Sequence, residues 1–177
     1  MSGIIAYQSD SGRSGIIGSP ANFSMILTST HALVHDNYTL IKFDTVKWDV
    51  GNNFNNTNTA VNGMTYAFVA PVTGTYSFTW LLGIEGVNTG NTRLLPRFDH
   101  KDSGGTELRV VYFDVNGPDH ILASNMGGGW GLPGATSAKM RGGDTASLRC
   151  YHSGGSAPSA GNTHTTFNGW YTGPEGR

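Results

Sequence analysis

The chain has 177 residues, enough for one domain with a sizeable core, and only 13% of them are charged, against roughly 25% in an average soluble domain. Its net charge is −1 and its 11 Lys and Arg are scattered, so it has no basic stripe for phosphates, which argues against nucleic-acid binding. No apolar run reaches the ~18 residues of a membrane-spanning helix, and the single Cys150 excludes an internal disulfide and a multi-cysteine zinc site. The 26 glycines, with abundant Ser, Thr and Asn, favour strands and turns over helices. An all-β protein is expected. The N-terminus lacks a basic region followed by an apolar run, so no secretory signal is expected either.

Residues 1–20 read as an arm preceding a domain at 21–177. SGII occurs at Ser2–Ile5 and again at Ser14–Ile17, and the pairs Ile4, Ile5 and Ile16, Ile17 are expected to dock an extended arm on a neighbouring subunit. A strand is predicted at Asn22–Thr28. HALVH follows, with His31 and His35 four apart. Leu40–Val50 alternates but slips phase: Ile41 and Phe43 are odd-numbered, whereas Val46, Trp48 and Val50 are even. A one-residue slip turns the apolar set outward, so a bulge or bend is predicted near Asp44 and Thr45. Gly51–Thr59 reads as a polar loop.

Tyr66 and Phe68 share a face. So do Tyr76, Phe78, Trp80, Leu82 and Ile84, a period of two that marks a half-buried strand. Ala70–Gly74, with Pro and Gly, suggests a hairpin between the two. Further strands are predicted at Leu94–Phe98, Leu108–Val115, Ile121–Asn125, Ala146–Tyr151 and Thr165–Tyr171. Gly-rich turns fall at Gly104–Gly105, Gly127–Gly131 and Gly142–Gly143, and Ser153–Gly161 reads as an exposed loop. This many short strands implies a sandwich or jelly roll.

The chemistry is sparse. No Glu completes a metal motif with His31 and His35, and His164 reads as structural. Asp99, Asp102, Asp114 and Asp119 are solvated loop carboxylates or calcium ligands, but lack the spacing of an EF-hand. Trp130, flanked by glycines, is a candidate ligand or partner contact. Cys150 shares a strand face with Leu148 and reads as a buried thiol. No G-x-S-x-G nucleophile motif occurs, and no enzyme activity, metal or cofactor is expected.

Four segments together resemble the globular head of complement C1q and its relatives, which share the tumour necrosis factor jelly roll. IKFDTVKWDVGNNFN resembles the family's strand entering an Asn/Gly loop. YAFVAPVTGTYSFTW fits its F-x-A-P-x-x-G-x-Y-x-F signature through Phe68, Ala70, Pro71, Gly74, Tyr76 and Phe78. MRGGDTASLRC is similar to its G-D-x-V strand entry through Gly143 and Asp144, with Ala146 in place of Val. HTTFNGW resembles its last strand through Thr165, Phe167, Gly169 and Trp170.

The resemblance implies an all-β jelly-roll sandwich whose last strand is interior, assembled as a homotrimer through apolar faces. Trp80, Tyr112 and Trp170 are the candidate trimer contacts. No collagen-like Gly-X-Y repeat is present. The expected role is a virion structural protein, most simply a bacteriophage capsid decoration (cement) trimer or knob bound to the major capsid protein and made in the host cytoplasm. The alternative is a tail-fibre tip or secreted module that recognises a cell-surface glycan or protein.

Overall fold

The computed structural model describes residues 6–8, 14–16, 21–87, 91–113, 115–116, 130–155, 157–161 and 165–174. In the N-terminal segment β1 (Ala6–Gln8) pairs with β2 (Ser14–Ile16), and Ile16 lies opposite Ala6. Ile4, Ile5 and Ile17 lie outside the described residues.

The rest forms two packed antiparallel sheets. The first contains β3 (Asn22–Ile26), β4 (His31–Ala32), β6 (Thr45–Val50), β9 (Gly74–Glu85), β13 (Trp130–Met140), β15 (Ser159–Ala160) and β16 (Thr166–Gly173). β13 runs along one edge of β9. The other edge pairs with β16, then β3 and β6, and near Ile84 with β15 and β4. The second sheet contains β5 (Tyr38–Leu40), β7 (Phe54–Asn55), β8 (Ala67–Val69), β10 (Asn91–Lys101), β11 (Glu107–Tyr112), β12 (Val115–Asn116) and β14 (Thr145–Gly154), with β10 and β14 at its centre.

Alternation places the core. Tyr76, Phe78, Trp80, Leu82 and Ile84 of β9 all point inward, where they meet Phe98 and Leu148 of the second sheet. Rings dominate: Phe23 sits 4.9 Å from Phe68, 5.1 Å from Phe54 and 5.2 Å from Phe167, centroid to centroid. The last strand, β16, lies between β9 and β3, so it is central, and Phe167 and Gly169 face the interior.

The structure corrects two local expectations. Tyr66–Phe68 and Thr75–Ile84 do not form a hairpin: β8 belongs to the second sheet and β9 to the first, so Ala70–Gly74 crosses between layers. The crossing is pinned. Ala70 N donates to Asp144 O and Gly143 N to Ala70 O, both at 2.8 Å, and the Tyr76 hydroxyl donates to Val72 O at 2.7 Å. Likewise, the slip in Leu40–Val50 is a change of sheet. β5 pairs with β14, β6 pairs with β3, and Ile41 and Phe43 are buried in the link between them. A bulge does exist, but later than Asp44 and Thr45: Ser24 faces Trp48 and Met25 faces Val46, which leaves Lys47 as the extra residue.

β13 was not anticipated. It is an edge strand carrying Pro133, Gly131 and Gly134. Proline is tolerated at an edge where its missing N–H faces no partner. Gly134 is required by packing, because a Cβ there would lie 2.2 Å from the Trp80 ring. The strand expected at Ile121–Asn125 lies outside the described residues, as do Gly127–Gly129 of the turn expected at Gly127–Gly131; Trp130 and Gly131 begin β13 instead.

Candidate functional site

The three aromatic residues proposed for a trimer contact do not share a surface. Trp80 is 3% exposed; it stacks on Phe98 at 6.2 Å and meets Phe113 edge-on at 4.5 Å, so it is a core residue and no contact on the protomer surface. Trp170, 40% exposed, stands on the outer face of the first sheet. Tyr112, 52% exposed, stands on the outer face of the second, on the opposite side of the sandwich.

The outer face of the first sheet is almost free of charge. Ser77, Thr79 and Leu81 of β9 alternate outward beside Ala135 and Ser137 of β13 and Asn168 and Trp170 of β16. Ser77 and Ser137 share a hydroxyl hydrogen bond of 3.1 Å, and Asn168 Nδ2 donates to Thr79 Oγ1 at 3.4 Å. These short side chains leave a groove of about 360 Å³ with Trp170 on its flank. Farther along, Trp48 on β6 is 52% exposed, and its indole N–H donates to Asn22 Oδ1 at 3.1 Å. Lys139, opposite Thr75, marks the charged end of the face.

The outer face of the second sheet is different. Asp99, fully buried in its side chain, accepts from Arg97 Nε and, at 2.8 Å, from Arg149 Nε; Arg97 also binds Glu107. The Arg97 guanidinium stacks 4.9 Å from the Tyr38 ring centroid and 5.8 Å from that of Tyr112. The network holds Tyr112 in place and balances its own charge.

The other candidates resolve into structural roles. Asp102 Oδ1 accepts from Gly104 N and Thr106 N and closes its own turn; with Asp99 held by arginines, both described members of the calcium set are engaged. Asp114 and Asp119 lie outside the described residues. His31 and His35 do not converge: His35 packs edge-on against His152, centroids 5.3 Å apart. Burial lowers the pKa of His31. His100 Nε2 and Asp144 Oδ2 meet at 3.0 Å inside the fold, a buried pair that tethers β10 to the entry of β14. Trp130 opens β13 opposite Ile84; its side chain and His164 lie outside the described residues.

The sequence marks Gly51–Thr59 as a polar loop that a recognition module would use, but gives no geometry for it. In the structure it walls a cavity of about 400 Å³ lined by Asn52, Asn53, Asn55, Asn56, Thr57 and Val61, with Phe54 and Val69 behind them.

Comparison with solved structures places this arrangement. The globular domain of zebrafish complement 1qA superposes with a TM-score of 0.58 at 15% identity, covering 88% of this chain and 99% of that one. Eiger TNF from S. frugiperda gives 0.60 at 10% identity over 90% and 97%, and murine APRIL 0.56 at 9% over 87% and 100%. The fold is a C1q/TNF-like jelly roll. No protein-family model and no curated sequence matches the chain. Within the jelly roll three of the four resembling segments have clear physical roles. Phe68, Tyr76 and Phe78 fill the core, Ala70 and Gly143 lock the layer crossing, and Gly169 lets two rings close over β16.

The jelly roll also sets its own alkaline limit. Burial pushes the Cys150 thiol from 9.0 up to about 12 and the Tyr76 phenol from 10.0 up to about 12. Both stay neutral in the fold and ionise more readily once unfolded. Their contribution is therefore complete below pH 9 and is lost as pH rises from 9 to 12. Urea titrations should show stability level between pH 7 and 9, then falling by an order of a few kcal/mol by pH 12. Cys150→Ala should flatten the first part of that fall. At pH 7 a maleimide should label Cys150 only after denaturant is added.

Proposed function

We propose that the protein is a non-enzymatic structural module that self-associates into a homotrimer through the outer face of the first sheet. The trimer would sit on a virion as a capsid decoration or knob and bind major capsid protein or other virion subunits. The observation that carries the reading is the nearly uncharged face with exposed Trp170 beside a 360 Å³ groove. A ring of three needs a projecting element and a receiving one on each copy, because cyclic contacts are heterologous. Depletion of charge at the centre of the patch is the compositional mark of an interface core. Three polar groups that chemistry would recruit are tied up instead: Asp99 by two arginines, Asp144 by His100 and the Arg141 N–H, and Cys150 by burial.

Light scattering should give three times the chain mass of 18.8 kDa; a monomer at every concentration would exclude the assembly. Co-sedimentation with intact particles on a density gradient tests the virion role separately. A second reading is a fibre-tip or secreted module that recognises a cell-surface glycan or protein. It is favoured by one observation, the asparagine-lined cavity after β6.

A further inference from the structure

The loop after β6 is held in a single shape by two side chains. Asp49 Oδ1 accepts from Asn53 N at 3.0 Å and its Oδ2 from Phe54 N at 2.8 Å. Asn55 Nδ2 donates to Thr59 O at 2.8 Å, and its Oδ1 accepts from the Thr57 N–H and hydroxyl. Gly51 and Asn52 turn the chain with φ of 92° and 54°. Asn53 O then accepts from Val69 N at 2.8 Å, which ties the loop to β8.

What this frame leaves over is specific. Asn53 and Asn56 use their NH2 groups on Val50 O and Asp44 O, at 3.0 and 3.3 Å, so each keeps its amide oxygen as an acceptor. The Asn52 side-chain amide has no hydrogen-bond partner among the described residues and offers both donor and acceptor, while its backbone N–H donates to Asp49 O. None of the residues lining the cavity is charged, and Val61, 41% exposed, adds an apolar wall.

We infer that this cavity binds a neutral saccharide. A sugar hydroxyl both donates and accepts, as a side-chain amide does, and the C–H face of a sugar ring can rest on Val61. An anion would find no cation here. A cation would find no carboxylate, because both Asp49 oxygens already accept backbone N–H groups. A purely apolar ligand would leave the amides unpaired, at a cost on the order of 1–3 kcal/mol for each buried group. The pre-set loop limits the ordering cost of binding, and the volume falls in the range of small-molecule sites. The site lies at the β8 side, away from Trp130, whose backbone sits opposite Ile84 at the far end of β9.

This inference rests on the recognition reading and narrows its ligand. The test is saturation-transfer NMR on the whole protein, with neutral hexoses, N-acetylhexosamines and their disaccharides set against sialic and glucuronic acids. Transfer to a neutral sugar is expected, with a dissociation constant on the order of mM for so open a site. Asn52→Gly should weaken it at least about tenfold with the melting temperature unchanged, since glycine keeps the left-handed turn and removes only the amide. Val61→Asp should weaken it as well. No transfer to any neutral sugar, preference for the acids, or undiminished binding in both variants would overturn the site. Attachment to cells without saccharide binding would overturn the site and keep the recognition reading. Saccharide binding lost in Asn52→Gly, without attachment, would keep the site and remove that reading.

Discussion

Trp170→Asp should convert the proposed trimer to an 18.8 kDa monomer by light scattering while leaving the far-ultraviolet spectrum unchanged. Trp170 is 40% exposed and its ring fills no core space, so the protomer does not need it to fold. The assembly does. Its neighbours across the sheet are Ser77 and Asn22, and the adjoining groove is lined by Thr79, Ala135 and Ser137, which offer hydroxyl and amide donors but no positive charge to a carboxylate. A cyclic trimer would bury three such carboxylates at once, each costing several kcal/mol without a counter-charge. A typical association free energy of about 8–12 kcal/mol does not survive that. Tyr112→Ala is the matched control. It removes a large exposed ring from the other sheet and should leave the mass at three chains. A Trp170→Asp protein that remained trimeric, or a Tyr112→Ala protein that fell apart, would move the interface to the second sheet.

That control is needed because of what alternation can and cannot reveal. The period of two in Tyr76–Ile84 tells inside from outside correctly along β9 up to Leu82, and fails at Gly83, which is buried although its parity is outward. It does not tell which of two sheets a strand joins. Trp170 and Tyr112 therefore look equivalent in sequence, although they face opposite ways. Trp80 looks like an interface residue for a related reason: a large aromatic on the apolar face of a strand serves equally well under another sheet or another subunit.

The same blindness to layers explains the misread hairpin. Ala70–Gly74 has the residues of a tight turn, and it does turn the chain. Whether it returns to the same sheet is decided by Asp144 and Gly143, more than seventy residues away in sequence. In Leu40–Val50 the phase slip was legible, but its cause was not, since a bulge and a change of sheet both shift parity by one. β13 left almost no signal. Edge strands need no apolar alternation on a second partner, and Pro133 and Gly134 read as breakers until Trp80 is seen to need the space. The cavity at Asn52–Thr57 was hidden more deeply. Asparagines signal turns, and only the hydrogen bonds of Asp49 and Asn55 show this one to be fixed.

The motif glycine in the last strand gives the largest stability effect. Gly169 lies opposite Phe23 on one side and Phe78 on the other, on the inward face of β16. The close neighbours of Gly169 are rings, not backbone. A Cβ added there would lie 2.4 Å from Phe23 Cε1 and 2.8 Å from Phe78 Cδ1, well inside van der Waals contact. Neither ring has room to retreat, since Phe23 also packs on Phe54, Phe68 and Phe167, and Phe78 on Phe98 at 5.0 Å. Overpacking of this kind costs about 1–3 kcal/mol, and more where rigid groups meet. Gly169→Ala should therefore lower the urea-unfolding free energy by about 3 kcal/mol, a large share of the ~5–15 kcal/mol of an ordinary domain, and Gly169→Val should fail to fold. Gly104→Ala is the contrast. Gly104 is exposed, its nearest atom would be 3.4 Å from the new Cβ, and the change should stay within about 0.5 kcal/mol. Equal tolerance at the two sites would mean that the Phe23–Phe78 packing around β16 is looser than its geometry shows.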